Sequence, residues 1–370
     1  MNHHRRDDRL TRRDFLAGAA AAALAFTLPA CGRESHASKG KAMTQTALPR
    51  WRGFNLLDMF TVRSDGNWQE DDFRWMQDWG FDFVRLPLCY TLWIEGDDVY
   101  KLSEAGLAKV DRAVELGRKY RLHVNVAFHR GPGYSVNAER TEPFNLWKDQ
   151  AALDAFCFHW KTFAERYKGI PSTEVSFNLI NEPAAPVAEM TRDDHKRVVK
   201  TATETIHKID PQRLVIADGV EWASVPCPEL ADIKVAQSCR AYTPHTLTHY
   251  RAEWAGDPGW PEPTWPHTEG DKVWDRKALE EHYRPWGELA AKGIGVHCGE
   301  GGSYNKTPHP VVLAWLRDVM EILKGHNIGY AIWNFRGSFG ILDSERKDVA
   351  YEDYHGHKLD RKLLSLLREF

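Results

Sequence analysis

The sequence predicts a single-domain (β/α)8 barrel, and three observations carry that expectation. Eight short runs rich in β-branched and aromatic residues recur along the chain. Several are apolar at successive positions, as parallel strands buried on both faces should be, and segments of helical period lie between them. Eight such units average about 42 residues each, the spacing of a barrel that carries insertions. An open doubly wound sheet is the competing architecture, but no GxGxxG opens a helix after the first strand. The composition agrees: 370 residues, 42% hydrophobic and with 15 Trp, supply a large core and exclude a disordered chain.

Taken in order, residues 1–30 stand outside the fold. Thr11-Arg12-Arg13-Asp14-Phe15-Leu16-Ala17-Gly18 opens an Ala-rich apolar run ending at Ala30, too short for a membrane span, and reads as a twin-arginine export signal. Leu28-Pro29-Ala30-Cys31 resembles the lipobox of a bacterial lipoprotein, in which Cys31 is acylated. Residues 31–48 then form a tether, and residues 49–370 the barrel. The expected partner is the twin-arginine export machinery. The expected location is periplasmic or cell-surface, with membrane contact only through a lipid on Cys31.

The formal charge is −3 and no basic stripe follows the first thirteen residues, which excludes a nucleic-acid partner. Beyond Cys31 come Cys89, Cys157, Cys227, Cys239 and Cys298, an odd number without CxxC or His/Cys ligand spacing. Neither a disulfide scaffold nor a metal site is expected, nor any cofactor.

The eight strand runs are 52–57, 81–88, 123–129, 174–181, 213–219, 234–242, 293–300 and 329–335. Helical spacing is clear between the last two, where Val311, Val312, Trp315, Leu316, Val319, Met320 and Leu323 share a face before the Gly325-His326-Asn327 stop. The largest interruption follows strand six, from about residue 243 to 274. It carries Trp254, Trp260, Trp265 and Trp274 among several prolines, and a loop this long is more often functional than idle.

A barrel of this type builds its active site at the C-terminal ends of its strands. Strand two offers Arg85, strand three His129, strand four Asn181 and Glu182, strand six Arg240 and Tyr242, strand seven Glu300, and strand eight Trp333. Two glutamates across a barrel mouth are what glycoside hydrolysis needs: one carboxyl donates a proton to the leaving oxygen, and the other stays ionised to attack the sugar. Each residue alone has a plainer reading, such as a solvated strand-end carboxylate, a capping arginine or a core tryptophan; their joint placement points to catalysis.

These residues, with Phe177-Asn178-Leu179-Ile180-Asn181-Glu182-Pro183, Gly53-Phe54-Asn55, Val84-Arg85-Leu86-Pro87 and Tyr330-Ala331-Ile332-Trp333, resemble the cellulase-type glycoside hydrolase family 5 over nearly all of residues 50–340. The resemblance implies a retaining β-glycosidase acting on a polysaccharide or oligosaccharide by double displacement. Glu182 would be the general acid/base, Glu300 the nucleophile, and Asn181 the partner of the sugar 2-hydroxyl. Arg85 and Tyr242 would flank Glu300, Trp333 would offer its face to the sugar ring, and His129 would line the same site. Arg240 stands where the family usually has a histidine, two residues before Tyr242. With the Trp-rich loop, it suggests a partly closed cleft that prefers oligosaccharides or decorated chains.

Three other readings remain open at this level. A carbohydrate-binding barrel without catalysis would be expected to have lost one glutamate. An exo-acting enzyme on decorated or non-glucan chains differs only in cleft shape. A metal-dependent hydrolase using His129, His297 and Glu300 meets a register problem, since positions three apart on a strand point to opposite faces.

Overall fold

The computed structural model describes residues 48–370 apart from 138, 185–189 and 257. The export signal, Cys31 and the tether as far as residue 47 lie outside the described residues. Eight strands form the barrel: β1 Arg52–Asn55, β2 Phe83–Cys89, β3 His123–Gly131, β4 Val175–Asn178, β5 Val215–Asp218, β6 Ala236–Ala241, β7 Val296–Gly301 and β8 Gly329–Ile332. Each pairs in parallel with the next, and β8 returns to β1, so the sheet closes on itself. All eight predicted runs contain strands, whose ends differ from the predicted ones by at most three residues.

The outer layer consists of α1 Glu70–Asp78, α2 Glu104–Lys119, α3 Gln150–Arg166, α4 Arg192–Ile209, α5 Arg276–Ala291, α6 His309–Gly325 and α7 Arg361–Glu369. Their starts follow local chemistry. Thr191 and Asp194 make a reciprocal capping box on α4, while Asp275 and Asp360 accept backbone N–H groups at the starts of α5 and α7. The β5–β6 crossover departs from the regular pattern. Glu221, Trp222 and Ala223 all have positive φ, and Pro226 and Pro228 follow, so a short turn and a 3-10 turn at Pro228–Leu230 stand in place of a long helix.

The two faces of the sheet differ. Val84, Leu86, Phe128, Phe177 and Cys239 belong to the apolar layer beneath the helices, with Phe128 stacked on Trp160 at 3.9 Å. The inward face is apolar only at its N-terminal floor, where Trp51, Phe83, Leu214, Ile216, Ala236 and Ala331 form a separate cluster. Trp51 stacks on His123 at 3.6 Å, and His297 packs against Phe83 at 4.4 Å. His123 Nδ1 lies 3.0 Å from the Thr173 carbonyl, which can only accept, so in the neutral ring Nε2 accepts from Ser176 Oγ at 2.7 Å. Closure is tight between β1 and β2: a Cβ on Gly53 would come within 1.8 Å of the Phe83 carbonyl oxygen, so only glycine fits there.

Above the floor, the inward positions become polar: Asn55, Arg85, Asn178, Asp218, Arg240 and Glu300 are all buried. A register shift between Cys298 and Glu300 on β7 brings Glu300 beside Arg240 of β6. The insertion after β6 contains a helical turn at His245–Thr248, a 3-10 turn at Glu253–Ala255 and an antiparallel hairpin pairing His267–Glu269 with Lys272–Trp274.

Candidate active site

The site is assembled around two buried guanidinium groups. Arg85, the third residue of β2, donates from Nη1 to Glu300 Oε1 at 2.6 Å and to Asn55 Oδ1 at 3.0 Å. It also donates from Nε to Asn178 Oδ1 at 3.1 Å and from Nη2 to Asn181 Oδ1 at 2.9 Å. Four oxygens from three strands and their ends therefore fix one planar group, a task for which a guanidinium is suited. The second oxygen of Glu300 accepts from the Tyr242 hydroxyl at 3.2 Å. Burial, together with the charges of Glu300 and Glu182, pushes the Tyr242 hydroxyl well above its usual range, so it remains a donor.

Glu182 follows the end of β4 and holds a left-handed backbone, φ 48°, that is unusual for a non-glycine residue. Asp218, at the end of β5, holds that turn by accepting the Glu182 backbone N–H at 2.9 Å. The Glu182 carboxyl accepts from Arg240 Nε at 2.8 Å. Arg240 also reaches Glu300 Oε1 at 3.4 Å, so one guanidinium touches both catalytic candidates. Gly299 makes room for it, since a Cβ there would lie 2.6 Å from Ser238 Oγ and 3.1 Å from Arg240 Nη1.

Burial, followed by the negative charge of Glu300, raises the Glu182 carboxyl to about 8, while Arg240 pulls in the other direction. Its side chain remains 14% exposed, against 4% for Glu300, so the protonated group faces the opening. Asn181 turns its carbonyl oxygen to Arg85 and Arg240, at 2.9 and 2.8 Å. Its amide Nδ2 is buried without a partner among the described residues, which leaves a donor for an incoming hydroxyl.

The remaining predicted residues gather on one side. Trp333 is half-buried, with Phe60 edge-on at 5.2 Å and His129 at 5.7 Å. His129 is buried, and desolvation plus the charges of Arg85 and Arg240 holds it well below the usual histidine range, so it is neutral. The structure thus brings together Arg85, His129, Asn181, Glu182, Arg240, Tyr242, Glu300 and Trp333. It does not bring His129, His297 and Glu300 together as ligands; His297 belongs to the floor, and no trio of His, Cys, Asp or Glu among the described residues is disposed to hold a metal ion.

Sequence reasoning gave no role to Asn55, Asn178, Asp218 or Trp222. Asp218 ends β5 and was discoverable by the same strand-end rule that found its neighbours. Trp222, 51% exposed, has its backbone N–H on the Pro183 carbonyl at 3.0 Å, beside the Glu182 turn. The indoles of the Trp-rich loop divide between anchoring and exposure. Trp265 donates to Asp318 of α6 at 2.8 Å, and Trp274 is buried and bonds Glu269 at 3.1 Å, so both anchor the loop. Trp254, 64% exposed and edge-on to Tyr304 at 4.7 Å, remains open to solvent.

Two carboxyls joined by one guanidinium, one carrying a proton near neutrality and the other fixed by Arg85 and Tyr242, can support proton donation and nucleophilic attack on opposite sides of a bond. Comparison with known proteins agrees. The family model described as cellulase, glycosyl hydrolase family 5, matches residues 38–338. Endoglucanase C of Acetivibrio thermocellus is 26% identical over 310 residues, 76% of this chain and 88% of that protein. Cellodextrinase A of Ruminococcus flavefaciens is 27% identical over 295 residues, 75% of this chain and 83% of that protein. Among solved structures, a glycoside hydrolase aligns with a TM-score of 0.82 at 37% identity, covering 86% of this chain and 99% of that one. Matched by that family over most of its length and placing two glutamates across the mouth of its barrel, the chain belongs to glycosyl hydrolase family 5.

Proposed function

We propose that Glu182 is the general acid/base and Glu300 the nucleophile of a retaining β-glycosidase that cleaves β-linked gluco-oligosaccharides. Membership of the family makes the chain a glycoside hydrolase of polysaccharides and oligosaccharides; the roles and the substrate are the proposal. The observation that carries it is Arg240 spanning the two carboxyls, Nε on Glu182 at 2.8 Å and Nη2 on Glu300 at 3.4 Å. This supports the close approach, about 5 to 5.5 Å, that direct attack on the sugar needs.

In the first step, Glu300 attacks the anomeric carbon while Glu182 protonates the leaving oxygen. In the second, Glu182 takes a proton from water, which displaces Glu300. Asn181 Nδ2 donates to the 2-hydroxyl oxygen, and Trp333 packs on the sugar being cleaved. The names of the relatives, an endoglucanase and a cellodextrinase, support a glucan substrate. We further propose that the chain is exported by the twin-arginine route and anchored through Cys31.

The test is an NMR time course on cello-oligosaccharides. The first product should keep the β configuration before mutarotation; an inverted product would overturn the assignment of Glu300 as nucleophile.

A further inference from the structure

We propose that Asp218 is a positioning residue for the acid/base: it cancels the charge of Arg240 and holds the Glu182 turn, so that Glu182 serves as a proton donor instead of as the counter-ion of Arg240. This rests on the assignment of Glu182 above. Asp218 is completely buried, and both of its oxygens are engaged. Oδ1 accepts from Asn178 Nδ2 at 2.9 Å, while Oδ2 accepts from Arg240 Nη2 and from the Glu182 backbone N–H, the latter at 2.9 Å. It therefore acts through its neighbours.

Arg240 Nε lies against the Glu182 carboxyl, and a guanidinium in that position favours the ionised form, the wrong state for an acid. Arg85 and Arg240 contribute two positive charges, and Glu300 and Asp218 two negative ones. A proton on Glu182 then leaves the cluster neutral. Without Asp218, neutrality would require Glu182 to ionise. The other groups near Glu182 do not alter this count: Tyr242 is a neutral donor to Glu300, Tyr134 donates to the Glu182 carbonyl oxygen at 2.7 Å, and His129 is neutral.

The same count holds through the reaction. When the Glu300 oxygen bonds to the anomeric carbon, the carboxylate becomes a neutral ester; the old glycosidic bond breaks, and its oxygen leaves with the Glu182 proton. One negative charge has moved from Glu300 to Glu182, and Arg240, which touches both, receives it without moving. Attack by water reverses the exchange: Glu182 regains a proton and Glu300 its charge. Asp218 stays constant as the fixed charge that lets Arg240 serve either glutamate in turn.

The experiment uses the full chain and compares Asp218→Asn with Asp218→Asn/Arg240→Gln. For the single variant, the basic limb of kcat/KM should move at least one pH unit lower. Cleavage of cello-oligosaccharides at pH 8 should fall at least fivefold, while an activated aryl glycoside, which needs no acid, should change less than threefold. Removing both charges should return the basic limb to within half a unit of the parent. An unmoved limb in Asp218→Asn, or an equal loss on both substrates, would overturn the proposal.

If Asp218→Asn does not fold, Arg240→Gln alone supplies the test, because removing the cation should raise the basic limb; no rise overturns the proposal. Glu182→Ala separates the two claims. If it still cleaves cello-oligosaccharides at the parental rate, the assignment of the acid fails, and this inference fails with it. If it loses them but Asp218→Asn keeps the parental limb, only the role of Asp218 fails.

Discussion

Glu182→Ala and Glu300→Ala should fail in different ways. Losing the acid should slow natural glycosides by about 10²- to 10⁴-fold. An activated substrate should still glycosylate Glu300, and azide should speed turnover by replacing the missing base and give a β-glycosyl azide. Glu300→Ala should be inactive on both substrates, with no β-glycosyl azide formed. Product analysis with and without azide checks this, and identical responses would reverse or remove the assignment. The eight strand-end residues were legible because each carries its chemistry in its own type and position. Asn55 and Asn178 stood in recognisable motifs, but their part, to accept from Arg85, was not legible, because a contact between distant strands leaves no local pattern. The bridging by Arg240 was half legible: a guanidinium at a strand end calls for oxygen partners, but nothing in the sequence says that three carboxylates supply them.

Among the elements, the strands were legible because burial on both faces writes itself as short apolar runs, whereas the crossover after β5 was not assigned a distinct form. Its Gly219, Pro226 and Pro228 were the available signals against a long helix. The loop from 243 to 274 was located correctly, but its indoles divide by what lies opposite them in space. This division is measurable. Trp265→Ala should cost on the order of 2 kcal/mol by releasing the loop from α6, seen as a lower melting temperature. Trp254→Ala should leave stability within about 0.5 kcal/mol, since it removes an exposed side chain, and should raise KM for longer oligosaccharides several-fold with kcat unchanged. Equal KM values for parent and Trp254→Ala would show that this indole does not meet the substrate.

At the scale of the whole molecule, the closed parallel barrel followed from the count and spacing of its units, and the family from the strand ends together. The N-terminal readings are tested in cells. Arg12→Lys with Arg13→Lys should hold the protein in the cytoplasm, because the signal is read by a receptor and not by charge alone. Cys31→Ala should abolish incorporation of labelled fatty acid. Export of the double-lysine variant at the normal level would refute the route, and label persisting after Cys31→Ala would refute the anchor.

The histidines of the barrel floor give the enzyme a built-in sensitivity to acid. Burial holds His123 and His297 down at about 3, whereas an unfolded chain would protonate them near 6.5. Unfolding therefore takes up protons between those values, and the stability these residues contribute is lost as pH falls from about 6.5 toward 3. Glu182 imposes the opposite trend. Its folded carboxyl titrates at about 8 against 4.5 for the free group, so its share is present below 4.5 and lost as pH rises through 8. His129, His159, His195, His249 and His282 are held down by burial in the same way, and in the range where the trends overlap these histidines outnumber the carboxyls raised with Glu182, Asp58 among them, which places the maximum near pH 6.5. Urea melts across pH 4 to 9 should trace that maximum, and in His123→Gln the acid side should fall less steeply. The floor of the barrel, which never meets a sugar, would then share in setting how acidic a habitat the enzyme can endure.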